Sequence, residues 1–202
     1  LLDLLKRLDD VDGIDRIRIS SIEPNLLTES IIEFVATSRS FQPPVHIPLQ
    51  SGSDEILGRM RRRYRREIHA DRVGRIRAEI PDACIGADVI VGFPGETDAY
   101  FDETAQFIEG LDVSYLHVFS YSERPGTAAP GAGPAVPGPE RSRRNRVMRL
   151  LSEKKRRSHE SAHLGTIRPV LWEDGRDDDG LWGFTDNYIR VRRTSDGGGI
   201  GT

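Results

Sequence analysis

Polar residues and glycines follow three separate apolar runs of this 202-residue chain, and their types suit ligand binding. The three segments read HIPLQSGS (residues 46–53), DVIVGFPGET (88–97) and LHVFSYSERPGT (116–127), and helical stretches separate them. The carboxyl ends of parallel strands meet at one rim of a sheet or barrel. We therefore expect the three loops to form one ligand-binding rim, which is typical of an enzyme.

The first loop carries short polar groups. Gln50, Ser51 and Ser53 offer hydrogen-bond donors and acceptors that suit the hydroxyl and amine groups of a nucleoside-like ligand. His46 precedes the apolar part of its strand, and His117 alternates with the residues of another strand. We interpret both histidines as structural residues rather than metal ligands.

The second loop carries a Gly-x-Pro-Gly-Glu turn. Gly92 and Gly95 let the backbone approach a ligand closely, and Glu96 lies beside the start of the next helix. The turn lacks the Gly-Lys-Ser/Thr ending of a phosphate loop, and Glu96 would repel phosphate. A cofactor site and a tight strand-to-helix connection, capped by Glu96 and Thr97, both explain this turn.

Metal ligands are sparse in the sequence. The single cysteine, Cys84, can form neither a cysteine-built metal site nor an intrachain disulfide, which fits a reducing compartment. His159 and His163 have the i, i+4 spacing of a helical metal site, but no third ligand is evident. We interpret that pair as incidental, so the sequence predicts no metal ligand.

The net charge of −3 conceals two basic helices. Nine arginines face two acids between residues 59 and 77, and nine Arg or Lys face one acid between residues 141 and 157. One basic helix is usually a solvated face, but two in a nearly neutral chain favour a polyanionic partner. There is no uninterrupted apolar run of about 18 residues, and the amphipathic start does not resemble a signal peptide. We therefore expect no membrane partner and a cytoplasmic location.

Helices and strands alternate along the first part of the chain. The predicted strands are IDRIRIS, VHIPLQ, ACIGADVIVGF and YLHVFSY. The predicted helices cover residues 1–10, TESIIEFVATS, a two-piece basic stretch from Asp54, and the residues after Thr97, with Ser53 and Thr97 as N-caps. This order requires right-handed crossovers, so the sequence predicts an α/β fold with a parallel sheet or partial barrel.

The alternation ends after residue 127. Pro and Gly are so frequent that we predict an extended linker over residues 128–143. A basic helix follows, and then TIRPVLWEDG and LWGFTDNYIRVRR predict two strands of a small β domain around an acidic turn at residues 177–180. Two strands do not make a stable β unit, so we expect this domain to be incomplete.

Five segments in order carry a family resemblance: RISSIEP, HIPLQSGSDEILGRMRRRY, DVIVGFPGET, HVFSYSERPGT and GFTDNYIRV. Together they resemble the tRNA methylthiotransferases of the radical S-adenosylmethionine (SAM) superfamily. The resemblance implies that residues 1–127 are the later part of a partial (β/α) radical SAM barrel. It also implies that residues 144–202 begin a TRAM domain, a small OB-like β barrel that binds RNA.

The activity implied is addition of a methylthio group to C2 of a modified adenosine next to the tRNA anticodon. RISSIEP is similar to the branch that acts on N6-threonylcarbamoyladenosine at position 37. The isopentenyladenosine branch, the ribosomal-protein branch and a non-catalytic RNA-binding protein on this scaffold are the alternatives. The sequence identifies neither the electron donor nor the sulfur source.

The resemblance also implies cofactors and their contacts. Family members use SAM and two [4Fe-4S] clusters, whose six cysteine ligands are not in this chain, so we expect an inactive fragment of a longer enzyme with Cys84 in its core. The implied SAM contacts are Gln50, Ser51, Ser53, Asp88, Gly92, Gly95, Glu96, Phe119 and Tyr121. The implied tRNA contacts are Arg62, Arg63, Arg143, Arg144, Lys154, Lys155, Asn187 and Tyr188. Arg62 and Arg63 could instead meet the carboxylate of SAM.

Overall fold

The computed structural model describes residues 1–177, 180–193 and 200–201. Its first sheet is parallel, with strands in chain order: β1 (Ile17–Ile19), β2 (Phe41–His46), β3 (Ile85–Val91) and β4 (Tyr115–Ser120). The helices are α1 (Leu2–Asp9), α2 (Glu29–Thr37), α3 (Asp54–Arg59), α4 (Arg66–Glu79), α5 (Asp98–Gly110) and α6 (Gly138–Ala162). This arrangement confirms the predicted α/β fold with a parallel sheet.

Strand β2 differs from its prediction over VHIPLQ. It begins at Phe41, and its regular part ends at His46. The backbone N–H groups of Ile47 and Leu49 still donate to the carbonyls of Gly86 and Asp88, at 2.9 and 3.2 Å. Pro48, which has no N–H, lies between them, so the chain follows β3 without a continuous ladder.

The core lies between the sheet and its helices. Alternate residues of β3 face this core, which also contains apolar side chains from α4, α5 and α6. These residues are Ile85, Ala87, Val89 and Val91 of β3 together with Val73, Ile76, Phe101, Ile108 and Met148. Gly86, Asp88 and Ile90 therefore point to the opposite face of the sheet.

The helix caps agree with the sequence in part. The basic helix occurs in two pieces, as predicted, and Thr97 accepts a hydrogen bond from the Tyr100 N–H at 3.3 Å. Ser53 occupies the N-cap position of α3, but its side chain makes no capping bond. A neighbouring carboxylate caps the next helix instead, because Asp54 Oδ1 accepts from the Arg66 N–H at 2.9 Å.

Helix α6 begins at Gly138, inside the segment predicted to be a linker. The first turn of a helix tolerates Pro139, because the missing N–H has no intrahelical partner there. Ser152 ties α6 to β4, since its hydroxyl accepts from the Leu116 N–H at 2.8 Å and donates to the Leu116 carbonyl at 3.0 Å. The helix therefore packs on the parallel sheet, and the domain division at residue 143 stays a prediction.

The carboxy-terminal sheet is antiparallel, with strands β5 (Val170–Asp177), β6 (Gly180–Thr185), β7 (Arg190–Arg193) and β8 (Ile200–Gly201). The strand predicted over LWGFTDNYIRVRR is two strands, because a turn with Tyr188 at φ 67° interrupts it. Residues 178 and 179 of the predicted acidic turn lie outside the described residues. Arg16 joins the sheets by donating to the carbonyls of Pro169 and Phe184, both at 3.2 Å.

No helix within the described residues has the length and apolarity that crossing a membrane requires.

Candidate functional site

The turn after β3 is held in shape by Glu96. The buried Glu96 carboxylate accepts hydrogen bonds from the Gly92 N–H at 2.6 Å and from the Arg144 guanidinium at 2.7 Å. Gly92 and Gly95 adopt φ 76° and 85°, a region that strains other residues. A Cβ atom would also overlap Arg141 at Gly92 and Arg59 at Gly95. Both glycines are therefore required at the carboxyl edge of the sheet.

Arg144 of α6 is buried against this turn rather than exposed to a polyanion. Besides Glu96 it pairs with Asp98 and Glu140, both at 2.8 Å. Burial raises the pKa of the Glu96 carboxyl, against the opposing effects of the Gly92 and Arg144 hydrogen bonds. The contacts make both side chains supports of the turn, although the sequence predicted Glu96 to contact SAM and Arg144 to contact tRNA.

The polar groups of the QSGS loop differ in their contacts: some are bonded to α5, and others have no described partner. Ser51 Oγ lies 3.1 Å from the hydroxyl of Thr104 on α5, which also accepts from the Gly52 N–H. Ser53 Oγ is buried and has no hydrogen-bond partner among the described residues. Gln50 adopts φ 69° and its N–H donates to the Asp88 carbonyl at 2.8 Å. Ser51 is thus committed to packing on α5, and the Ser53 hydroxyl remains without a partner.

A cavity of about 520 Å³ lies at the carboxyl ends of β3 and β4. Ile90, Phe93 and Tyr121 contribute its apolar wall, and Arg62 contributes a cation that pairs with Glu23 at 3.1 Å. Tyr121 lies edge-on to Phe93 at 5.3 Å, and its buried hydroxyl has no partner in the described part of the chain. The cavity thus combines aromatic surface, positive charge and an unsatisfied hydroxyl.

Phe119 and Asp88 lie away from this cavity wall. Phe119 lies near the end of β4, two residues before Tyr121, and is half-exposed. Asp88 lies in the middle of β3, where Oδ1 is 2.8 Å from His46 Nε2 and 3.4 Å from His117 Nδ1. Burial acts to raise the pKa of Asp88, but the hydrogen bonds and charges of the two histidines outweigh it and lower that pKa. Sequence spacing gave no sign of this cluster, because its members come from three strands.

The basic residues predicted to contact tRNA differ in exposure and in whether they already pair with an acidic or carbonyl group. Arg63 is exposed and makes no ion pair or hydrogen bond with another described residue. Arg143 and Lys154 are exposed but pair with Glu140 and Glu109. Lys155 caps the end of α5 by donating to the carbonyls of Glu109 and Leu111, at 3.2 and 2.6 Å, and burial lowers its pKa.

The turn between β6 and β7 contains the other predicted tRNA contacts. Tyr188 is exposed, stacks on Phe184 at 4.8 Å and lies 4.3 Å from the Arg18 guanidinium. Asn187 is fully buried and accepts from the Thr185 hydroxyl at 2.6 Å, which makes it a residue of the turn. Sequence reasoning missed Trp182, whose ring lies 4.6 Å from the Arg190 guanidinium. The aromatic residues of LWGF and the arginines of RVRR were the sequence pattern that could have indicated this contact.

Comparison with known families agrees with this α/β rim. The family model described as the radical SAM superfamily matches residues 1–108. The chain belongs to the radical SAM superfamily. Its residues therefore form part of a radical SAM enzyme fold, as the ordered motifs predicted.

Relatives of this radical SAM chain are tRNA methylthiotransferases. It is 40% identical over 195 residues to the threonylcarbamoyladenosine tRNA methylthiotransferase MtaB of Bacillus subtilis, covering 93% of this chain and 43% of that protein. It is 38% identical over 174 residues to the tRNA-2-methylthio-N(6)-dimethylallyladenosine synthase of Kineococcus radiotolerans, covering 85% of this chain and 34% of that protein. The chain is thus MtaB-like and spans less than half the length of these relatives.

A solved structure shares the fold. The radical SAM enzyme HemN, coproporphyrinogen III oxidase of Escherichia coli, superposes with a TM-score of 0.53 at 19% identity. The match covers 80% of this chain and 35% of HemN. At this identity the likeness supports the radical SAM fold alone.

The rim fits SAM, and the chain does not fit an iron-sulfur cluster. The cavity at the rim offers the unpartnered hydroxyl of Tyr121, the aromatic ring of Phe93 and the cation of Arg62. Cluster iron takes thiolate ligands, but the single cysteine, Cys84, is buried, and burial raises its pKa to about 11. The residues of this chain can therefore hold SAM but no cluster.

Proposed function

We propose that this chain is the SAM-binding part of a tRNA methylthiotransferase that modifies C2 of N6-threonylcarbamoyladenosine at position 37. The observation that carries the proposal is the rim itself. A braced glycine turn, the unpartnered hydroxyl of Tyr121 and an apolar cavity lie at the carboxyl edge of a radical SAM sheet. The 40% identity to the Bacillus subtilis enzyme supports the threonylcarbamoyladenosine branch, next to the 38% identity to the Kineococcus radiotolerans synthase.

The residues of this chain have separate tasks in the proposed reaction. When bound, SAM supplies the radical and the methyl group of the methylthiotransferase reaction. Tyr121 lines the cavity and offers a hydroxyl to the polar groups of SAM, and Arg62 offers positive charge to its carboxylate. Ser53 is fully buried outside the cavity lining, and its contact with SAM stays a prediction from the sequence. Ile90 and Phe93 exclude water from the cavity wall.

The turn after β3 supplies close backbone approach. Gly92 and Gly95 let the turn pack closely against the side chains of Arg141 and Arg59, and the ion pair between Glu96 and Arg144 prevents the turn from opening. Rigid support of this kind keeps a bound cofactor oriented toward the substrate.

Exposed basic and aromatic groups suit the proposed tRNA substrate. Arg63 offers charge to phosphates, and the exposed Tyr188 with the Arg18 guanidinium beside its ring offers a combined aromatic and cationic surface. Glu140 and Glu109 pair with two further basic residues of α6, so we assign these a smaller share of the binding.

Nucleoside analysis tests the proposed substrate. We would delete the gene, digest total tRNA and quantify methylthiolated nucleosides by mass spectrometry. The expected result is loss of 2-methylthio-N6-threonylcarbamoyladenosine with accumulation of the unmethylthiolated nucleoside, restored by the wild-type gene.

The same experiment separates the alternatives. Loss of 2-methylthio-isopentenyladenosine instead would assign the enzyme to the other tRNA branch. Unchanged tRNA nucleosides with loss of a methylthio group from a ribosomal protein, or with no loss at all, would contradict a tRNA methylthiotransferase.

A further inference from the structure

Three potential metal ligands meet on the face of the parallel sheet that points away from the helices. His46 lies on β2, Asp88 on β3 and His117 on β4. The ligand atoms of the three side chains all lie within 4.8 Å of one another. Within the described residues this is the one group of three or more His, Cys, Asp and Glu side chains with such spacing.

The two distances that involve Asp88 match those around one ion, and the third, between the imidazole nitrogens, is at most 4.8 Å. Ligands that each lie about 2.0 to 2.2 Å from a metal are about 2.8 to 3.1 Å apart in octahedral geometry and about 3.3 to 3.6 Å apart in tetrahedral geometry. His46 Nε2 and His117 Nδ1 lie 2.8 and 3.4 Å from the same oxygen of Asp88. The imidazole rings are stacked at 4.9 Å with an interplanar angle of 28°. Because an imidazole nitrogen binds a metal in the plane of its ring, the exposed His117 side chain must rotate for both nitrogens to face one ion.

A second layer of contacts orients the buried histidine. His46 Nδ1 lies 3.4 Å from the Tyr115 hydroxyl, which leaves Nε2 as the nitrogen that faces Asp88. Metal-binding histidines usually make such a hydrogen bond through the nitrogen that does not bind the metal. Tyr115 is therefore a positioning residue for His46.

The cluster is open on one side. The side chain of His46 is 6% exposed and that of Asp88 22%, whereas that of His117 is 52% exposed. An ion could enter past His117, and water or a second ligand could complete its coordination. None of the three residues lines the cavity assigned to SAM.

We propose that His46, Asp88 and His117 bind one divalent first-row transition metal ion. Two imidazole nitrogens and one carboxylate oxygen favour zinc, cobalt, nickel or iron over calcium or magnesium. The donor set contains no thiolate, so the site is distinct from an iron-sulfur cluster. The proposal departs from the sequence-based interpretation of both histidines as structural, because sequence alone could not place Asp88 between them.

Cobalt is a suitable probe, because Co²⁺ bound to nitrogen and oxygen ligands absorbs visible light. We would titrate the metal-free chain with Co²⁺, follow its visible absorption and then compete with Zn²⁺. We expect one saturable equivalent of Co²⁺ that Zn²⁺ displaces. Absence of a saturable visible band, together with no bound zinc after dialysis against Zn²⁺, would overturn the proposal.

Matched variants locate the site. His117→Gln and Asp88→Asn should each abolish saturable binding, and either one suffices if the other fails to give a native circular dichroism spectrum. His159→Gln is the control, because His159 and His163 form another close imidazole pair at 4.6 Å. Retained binding in both site variants, or its loss in the control alone, contradicts the assignment.

A milder variant tests the positioning role of Tyr115. Tyr115→Phe removes the hydroxyl beside His46 and keeps all three ligands. Loss of such a contact typically weakens metal affinity about 10- to 100-fold, so the Co²⁺ titration should shift accordingly. Unchanged affinity would remove Tyr115 from the site.

Discussion

Arg144 and Glu96 form a buried ion pair that connects α6 to the turn after β3, with Nη1 and Oε2 2.7 Å apart and side chains 4% and 1% exposed. The same guanidinium donates to the Glu96 backbone carbonyl at 2.9 Å. Because the other carboxylate contact is the Gly92 N–H, this pair couples the last helix on the sheet to the proposed SAM turn.

Replacing Arg144 should therefore destabilise the chain strongly. Arg144→Met leaves the Glu96 carboxylate buried without its cation, which typically costs about 3 to 5 kcal/mol. Urea denaturation measures the free energy of unfolding. Arg143→Ala, which removes an exposed ion pair of the same helix, is the control and should cost far less, because solvent screens exposed ion pairs. Equal costs for the two variants would refute the structural role of Arg144.

Gly95 should not tolerate a side chain. Gly95→Ala places a Cβ against the Arg59 guanidinium at φ 85°, and the backbone conformation alone costs about 1 to 2 kcal/mol. Gly110→Ala is the matched control, because nothing lies within 4 Å of its Cβ position, and it should stabilise the chain by about 0.4 to 1 kcal/mol. Urea denaturation measures the unfolding free energy of both variants. A Gly95→Ala variant that is more stable than Gly110→Ala would contradict this account of the turn.

Local patterns predicted much of the fold, because they depend on neighbouring residues. The apolar periodicity of α2 and α5, the continuous apolar run of β3 and the Thr97 cap are all determined within a few positions of the chain. The same reasoning failed over GFTDNYIRV, where the positive φ of Tyr188 makes a turn that strand propensity does not reveal.

The site was harder to predict, because its contacts join distant segments. Arg144 lies in a run of basic residues and looks exposed in sequence, yet it neutralises a carboxylate 48 positions earlier. Ser51 and Ser53 are chemically identical, and only the position of Thr104 on α5 separates their tasks. The depth of a side chain and the register of parallel strands are tertiary properties that a single sequence does not encode locally.

Loss of the Ser53 hydroxyl and loss of the Ser51 hydroxyl should affect different properties, the first the KM for SAM and the second the stability. In the natural full-length enzyme, Ser53→Ala should raise the KM for SAM about three- to tenfold with little change in stability, because the lost hydroxyl has no described protein partner. Ser51→Ala should instead lower the unfolding free energy by about 1 kcal/mol, because it breaks the contact with Thr104. Steady-state kinetics and urea denaturation measure both values, and a KM effect confined to Ser51→Ala would reverse the assignment.

His69 should make stability depend on pH. Burial lowers the pKa of His69 to about 4, whereas the unfolded chain has the ordinary value of 6.5. Between these values the unfolded state binds a proton that the folded state does not, so stability falls as the pH decreases, with a slope of up to about 1.4 kcal/mol per pH unit. His69→Gln keeps a donor for the Ile47 carbonyl and should flatten the dependence of unfolding free energy on pH between 6.5 and 5. Identical slopes would show that His69 titrates normally.

Arg63 should contribute to tRNA binding through charge alone. Its guanidinium is exposed and has no partner among the described residues, so pairing with a phosphate requires no internal ion pair to break. In the full-length enzyme, Arg63→Ala should weaken tRNA binding and reduce the magnitude of the slope of log K against log salt by about one. Arg7→Ala removes the same charge from the exposed face of α1 and is the control. Filter binding over a salt series measures both slopes, and a matching change in the two variants would mean that net charge, rather than Arg63 itself, sets the affinity.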